Sequence, residues 1–285
     1  MSTLEPFFDD VQAHYDLSDE FFRLLLDPTQ TYSCAYFERE DMTLEEAQLA
    51  KIDLSLSKCD LSPGMRLLDV GCGWGGTLRR AVEKYDVDVV GLTLSRNQYE
   101  HVSAMLGGLD TQRTVEVRLQ GWEEFDEPVD RIVSIGAFEH FTSPRYDDFF
   151  AKAYDILPAD GRMMLHTICQ LGRDMFRQES RVTRADMDFA DFIVEEIFPG
   201  GELPTPQTVV DHGEKAGFSV THVQSLQPHY ARTLDMWTAA LEERRDDAVA
   251  IAGQKMYDTY MQYLPGCADL FHRKLIDVRQ FTMVK

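Results

Sequence analysis

The sequence predicts an α/β fold built on a mostly parallel, doubly wound sheet. Apolar runs of strand length alternate with segments of helical period between 66 and 167, the pattern of parallel strands joined by helical crossovers. The run Leu67-Leu68-Asp69-Val70-Gly71-Cys72-Gly73-Trp74-Gly75-Gly76 reads as a buried strand turning through a glycine-rich loop into a helix. A last strand, reached only after a long helical excursion, has the place of an antiparallel edge strand.

Taken in order, residues 7 to 26 set Phe7, Val11, His14, Tyr15, Phe21, Phe22, Leu25 and Leu26 at near-helical spacing. A second helix from Thr43 to Lys58 opens with a Thr-x-x-Glu capping box, Thr43 and Glu46. The two helices form a lid-like layer ahead of the sheet. Strands are expected at 66–70, 87–93, 115–120, 131–135, 161–167, Phe218–Ser225 and Val278–Val284, which makes seven. Helices fall at 76–85, 95–106, 145–157 and Thr208–Ala216, the last ended by Gly217. A helical insertion spans about 172 to 198 and the long excursion about 232 to 274. No linker, repeat or low-complexity tract divides the chain, so residues 1–285 are read as one domain: a helical lid (1–60), a cofactor core (61–170) and a substrate side (171–285).

Composition narrows the function. With 28 basic and 49 acidic residues the formal charge is −21, which repels phosphate backbones and anionic lipid surfaces and argues against a nucleic-acid substrate. The start of the chain lacks a basic region followed by an apolar run, and no stretch nears ~18 uninterrupted apolar residues. A cytoplasmic protein without stable membrane insertion is expected. Five cysteines, Cys34, Cys59, Cys72, Cys169 and Cys267, form no CxxC pair, so reduced thiols are expected and a zinc or other metal site is not.

The glycine loop is not G-x-G-x-x-G and carries no Gly-Lys-Ser/Thr, which weakens dinucleotide and P-loop readings. The remaining D-x-G-x-G-x-G pattern is that of an S-adenosylmethionine site. Asp69 either orients the loop or meets a positively charged ligand, and Gly71, Gly73 and Gly75 allow the ligand close to the main chain. Ligands of doubly wound sheets bind at the carboxyl ends of the strands. The second end carries no acid for the ribose; Thr93, Leu94 and Gln98 stand there, with Ser95 also suited to cap the next helix. The third end offers Trp122 and Glu123, an aromatic face and an amine acceptor for adenine, although Trp122 is equally suited to a core edge. No Asn/Asp-Pro-Pro-Tyr/Phe tetrad for amine methylation is present.

Tyr32-Ser33-Cys34-Ala35-Tyr36-Phe37, the glycine loop, Gly91-Leu92-Thr93-Leu94-Ser95 with Asn97-Gln98, Gly121-Trp122-Glu123, Phe138-Glu139-His140-Phe141, His166-Thr167-Ile168, Ile197-Phe198-Pro199-Gly200-Gly201 and Gly266-Cys267 together resemble the mycolic acid cyclopropane synthase family, within the cyclopropane-fatty-acid synthase group. The resemblance runs from Tyr15 to Lys285. It implies a Rossmann-like class I methyltransferase that uses S-adenosylmethionine on cis double bonds of very long mycolic or meromycolic acyl chains, presented by an acyl carrier protein. By resemblance, Tyr32, Ser33, Gly71 and Gly73 meet the methionine end of the cofactor. Thr93, Gln98, Trp122 and Glu123 meet its ribose and adenine, with Ile135 and Gly136 beneath.

An alkene is a poor nucleophile, so such a site must hold the sulfonium methyl in line with it in a dry cavity. Methyl attack leaves a carbocation, which aromatic faces stabilise, and ring closure needs a base for the methyl proton. The resemblance implies bicarbonate as that base, held by Glu139, His166, Tyr230 and the main chain of Cys34. Two anions side by side repel unless one is protonated, so a proton shared between Glu139 and the ion is expected. Each residue has a plainer reading: Glu139 as a helix cap, His166 as a satisfied strand-end group, Tyr230 as core. Cys267 is an active-site position by resemblance, yet buried thiols usually only pack. Phe141, Phe198, Leu203, Leu234 and Tyr263 are candidates for an acyl tunnel. His166-Thr167-Ile168 resembles ring-forming members more than hydrating ones.

Arg173, Arg177, Arg181 and Arg184 recur at helical spacing and suit an acidic carrier protein. Pairing with Asp174, Glu179 and Asp188, or a helix restart at Thr183-x-x-Asp186, would remove that stripe. Alternatives of substrate are a methyl-branched product, a phospholipid acyl chain or a small molecule. An alternative of class is a cofactor-binding partner without turnover, which would have no use for Glu139, His166 and Tyr230 together.

Overall fold

The computed structural model describes residues 5–6, 19–170 and 182–285. After a short helical turn, Asp19–Phe22, come α1 (Leu44–Lys58), β1 (Arg66–Val70), α2 (Gly76–Tyr85), β2 (Asp88–Thr93), α3 (Arg96–Gly107), β3 (Val115–Leu119), β4 (Arg131–Ile135), α4 (Tyr146–Ile156) and β5 (Arg162–Gln170). They are followed by α5 (Arg184–Phe192), α6 (Pro206–Ala216), β6 (Ser219–Ser225), α7 (Gln227–Glu243), α8 (Arg245–His272) and β7 (Ile276–Val284). The seven strands form one sheet of order β3-β2-β1-β4-β5-β7-β6. The first five are parallel, and β7 runs antiparallel to both β5 and β6.

The last strand is therefore antiparallel, as expected, but it is not the edge. β7 inserts between β5 and β6, and β6 closes that side of the sheet. Burial explains the choice. Most of β7 is shielded, with Val278, Gln280, Phe281 and Met283 at no measurable exposure, whereas the polar sequence of β6 leaves all but Val220 and Gln224 exposed to water. A polar strand is a tolerable edge and an apolar one is not. The β5–β7 register sets His166 directly opposite Gln280.

The helices predicted at 43–58, 76–85, 95–106, 145–157 and 208–216 hold to within two residues at their ends, whereas the described part of the predicted helix 7–26 is helical only over Asp19–Phe22. α1 carries its capping box, Glu46 N–H to Thr43 Oγ1 at 3.2 Å and Thr43 N–H to Glu46 Oε2 at 2.8 Å. The long excursion is two helices, α7 and α8, and α8 is kinked at Gly253. A second capping box, Thr183 with Asp186, starts α5, so Arg184 opens a new helix; Arg173, Arg177 and Arg181 lie outside the described residues. Beyond α5 the chain continues as a π-helical turn, Ile193–Ile197. Of the predicted helix 7–26, positions 7–18 are likewise outside the described residues, while Phe21, Phe22 and Leu25 are buried.

Apolar clusters cover both faces of the sheet, one beneath α1, α2 and α3, the other beneath α4 and α6. A third joins the Asp19–Phe22 turn to α7 and α8. Trp74 from the glycine loop reaches into it, 4.9 Å from the Phe22 ring, and its Nε1–H donates to Asp19 at 3.1 Å. That contact ties the N-terminal layer to the ligand end of β1.

Candidate active site

The carboxyl ends of β1, β2 and β4 open onto a cavity lined by Tyr32, Ser33, Asp69, Gly71, Gly73, Thr93, Leu94, Gln98, Trp122, Glu123, Ile135 and Gly136. All but one of the residues expected at a cofactor thus converge. Gly71 needs its left-handed φ of +81°, and a Cβ there would stand 2.4 Å from Ala137 Cβ. Gly75 is the exception. It caps α2 with φ +83°, and a Cβ would sit 2.6 Å from Met105 Cε; its lack of a side chain serves the packing of α3 and not the cavity.

Asp69 is buried at the end of β1, and burial pushes its carboxyl up to about 7 against the opposing pull of Lys51. Lys51 is a fully buried lysine on α1 whose ammonium donates to Ser33 Oγ at 2.6 Å; burial pushes it down to about 8, with Cys34, Asp27 and Asp69 opposing. Thr93 Oγ1 and Gln98 Oε1 lie 2.8 Å apart, and Ser95 accepts from Gln98 N–H at 3.3 Å as the cap of α3. The capping reading of Ser95 holds, and Thr93 and Gln98 line the cavity beside it.

Trp122 lines the cavity and also belongs to the core, 5.3 Å from Phe149 and 5.6 Å from Phe141. Phe141, expected in an acyl tunnel, lines this cavity instead. Glu123 is held through Oε1 by Arg145 at 2.6 Å, with both side chains nearly buried. Arg145 also donates to the carbonyl of Glu5 at 2.8 Å and lies over the Trp122 ring. Glu123 Oε2 is buried without a partner. Burial raises its carboxyl while Arg145 and Lys152 hold it down.

A second cavity of about 460 Å³ lies beneath α7 and α8, within the size range of sites for small apolar ligands. Cys34, Glu139, His166, Tyr230 and Cys267 all line it, with Phe198, Leu203, Leu234 and Tyr263. Tyr32, Ser33, Gly136 and His140 line both cavities, which makes them the wall between the two. Glu139 accepts from Ile168 N–H through Oε1 at 2.7 Å, while Oε2 is buried and unpartnered. Burial raises its carboxyl against the backbone donors of Ile168 and Glu139. His166 sits opposite Gln280, 3.2 Å from Nδ1 to the amide nitrogen; its Nε2 is buried and unpartnered. Burial, then the charges of Lys51 and Lys58, hold this imidazole well below its ordinary range, so it is neutral at pH 7. Two orphaned polar atoms on residues that line one apolar cavity call for a small polar occupant.

The cysteines are less engaged. Cys34 is fully buried, its thiol donating to the Ala35 carbonyl at 3.1 Å, and burial raises its pKa. Burial pushes Cys267 up to about 12, so it is a neutral thiol in the wall.

Sequence reasoning missed Lys51, Lys58, Arg145 and Gln280. Lys51 sits on the same stripe of α1 as Gln48, Ile52 and Ser55, a signal available from spacing alone. The others act through strand and helix pairings that no local pattern reveals.

The family model for mycolic acid cyclopropane synthetase matches residues 3–281. Cyclopropane mycolic acid synthase 3 of Mycobacterium tuberculosis is 62% identical over 283 residues, covering 99% of each chain. The solved structure of the cyclopropane synthase MmaA2 from Mycobacterium tuberculosis superposes with a TM-score of 0.98 at 60% identity, over 99% of both chains. That of the mycolic acid cyclopropane synthase CmaA1, complexed with SAH and CTAB, gives 0.96 at 59% identity and the same coverage. With this sheet order, these paired cavities and that likeness over nearly its whole length, the chain belongs to the mycolic acid cyclopropane synthetase family.

Proposed function

We propose that this protein methylates a cis double bond in a very long mycolic or meromycolic acyl chain and closes it to a cyclopropane. The observation that carries the reading is the shared wall between a polar, glycine-lined cavity and an apolar one holding two orphaned polar atoms. The names of the relatives, cyclopropane mycolic acid synthases, support the substrate class.

S-adenosylmethionine, when bound, supplies an electrophilic sulfonium methyl. The residues of the first cavity fit it. Ser33 with the Lys51 ammonium would hold the cofactor's carboxylate, and Asp69 its cationic groups. Thr93 and Gln98 would take the ribose, and the orphaned Glu123 Oε2 the adenine amine. Tyr32, Ser33 and Gly136 line both cavities, and this wall would orient the methyl toward an alkene in the second one, where positioning supplies much of the rate. Tyr32, Phe198 and Tyr263 line the second cavity, and their ring quadrupoles would stabilise a cation developing on an acyl chain there without trapping it.

The methyl proton then needs an acceptor. Bicarbonate would fit the orphaned atoms of Glu139 and His166: its hydroxyl would donate to Glu139 Oε2, and His166 and Tyr230 would donate to its other oxygens. Glu139, raised by burial, shares the proton with the ion. We read Cys34 and Cys267 as wall residues of this site.

The acyl chain is presented by an acyl carrier protein in this reading. Met187 and Val194, both exposed, line the second cavity and give it an apolar mouth through which a long chain extends. Among the described residues no helix is long and apolar enough to cross a membrane. The five free cysteines suit the reducing cytoplasm. We take the chain to act as one methyltransferase domain, with the lid, core and substrate side meeting at the two cavities. Mass spectrometry of meromycolate lipids after gene deletion and complementation tests the reading; an unchanged content of cyclopropane rings would refute it.

A further inference from the structure

His166 lines the second cavity, and it is useful to a bound anion there only if Nε2, its nitrogen without a partner in the protein, carries a proton. The neutral ring has one proton for two nitrogens, and which one holds it is set by the partner of the other. That partner is Gln280. Its Nε2 lies 3.2 Å from His166 Nδ1 and 3.0 Å from Ser55 Oγ, and its Oε1 lies 2.5 Å from Lys58 Nζ. The amide has no freedom to turn over. The Lys58 ammonium requires an acceptor, so it faces the amide oxygen; Gln224 Oε1 gives it a second, at 2.7 Å. Ser55 spends its hydroxyl proton on the Lys51 carbonyl, 2.8 Å away, so it requires a donor and faces the amide nitrogen. Gln280 is fully buried, and water cannot substitute for either partner.

We propose that Lys58 and Gln280 are positioning residues for the reaction: with Ser55 they orient the Gln280 amide to donate to His166 Nδ1, which places the imidazole proton on Nε2, the nitrogen left without a partner in the protein. In that tautomer His166 offers an N–H to an anion beside Glu139. In the other it would turn a lone pair toward the anion and repel it. The relay runs from α1 through β7 to β5, and the cross-strand register His166–Gln280 makes it possible. This inference rests on the base-site reading above for its purpose, but the tautomer itself is measurable without turnover.

The test is nitrogen-15 NMR of histidine-labelled protein, with His166 assigned as the resonance pair missing from His166→Asn. Couplings to the ring protons identify the protonated nitrogen. The relay predicts a proton on Nε2 in the unmodified protein at pH 7, and a proton on Nδ1 would overturn it. Gln280→Leu, and separately the half-buried and less core-bound Lys58→Met, are expected to erode the Nε2–H preference. Turnover should then fall about 10- to 100-fold, the usual cost of losing an orienting partner, with SAH affinity within about twofold, as neither residue lines the cofactor cavity. An Nε2–H tautomer unchanged in both variants would refute the relay. A tautomer that shifts while turnover stays normal would support the relay and overturn the base-site reading.

Discussion

Replacing Glu139 by Gln exchanges one unpartnered acceptor for a donor and leaves the surroundings in place. The amide oxygen keeps the bond from Ile168 N–H that Glu139 Oε1 accepts at 2.7 Å. The change falls on Oε2, buried and unpartnered, which becomes an NH₂ unable to share a proton. A positioned proton acceptor contributes roughly 10²- to 10⁴-fold, so turnover should drop by that factor, equivalent to about 2.7–5.5 kcal/mol in activation free energy. Stability should move the other way. Burial disfavours the ionised Glu139 carboxylate, and a neutral amide of the same shape removes that cost, so the melting temperature should hold or rise. Methyl transfer from labelled S-adenosylmethionine to a cis-unsaturated acyl carrier substrate gives the rate, and calorimetry with SAH gives the affinity. Turnover within about threefold of the unmodified protein would refute the role of Glu139, because a lost proton acceptor cannot cost so little.

Asp69, raised to about 7, makes cofactor affinity depend on pH. A carboxyl raised on folding favours the apo fold most below its unfolded value near 4 and loses that contribution as pH rises through about 7. Cationic cofactor prefers the ionised form, so S-adenosylmethionine should bind more tightly from pH 5.5 to 8, by at most about tenfold per unit below 7; Asp69→Asn should flatten the profile, and an equally steep profile in that variant would exclude Asp69 as its source. Arg145→Ala strands the Glu123 carboxylate in a buried place, which should cost roughly 3–5 kcal/mol in chemical denaturation; a loss below about 1 kcal/mol would show that the pair is solvated. Cys267→Ala should retain turnover within a few-fold, since a thiol raised to about 12 is neither base nor nucleophile at pH 7, and a hundredfold loss would assign it a direct role.

Short-range rules account for every feature that could be read from the residues alone. The strand-to-helix turn at Gly71 follows from a backbone angle that side chains disfavour, the capping boxes at Thr43 and Thr183 from side chains three residues away, and the succession of strands and helices, with β3 and β4 adjacent in the chain, from periodicity. The convergence of Glu139, His166 and Tyr230 was legible through the resemblance of their motifs, not through spacing. The tertiary structure decided what depends on partners far along the chain. It put β7 inside the sheet because its neighbours shield it on both sides, and it turned Gly75 toward α3 and Phe141 toward the cofactor cavity. It also buried Lys51 against Ser33, locked Glu123 to Arg145 and aligned Lys58, Gln280 and His166, residues up to 222 positions apart. A charged side chain reads the same in a sequence whether it faces water or a cavity. Only the packing that removes the water decides which polar atoms are satisfied and which are left for a ligand.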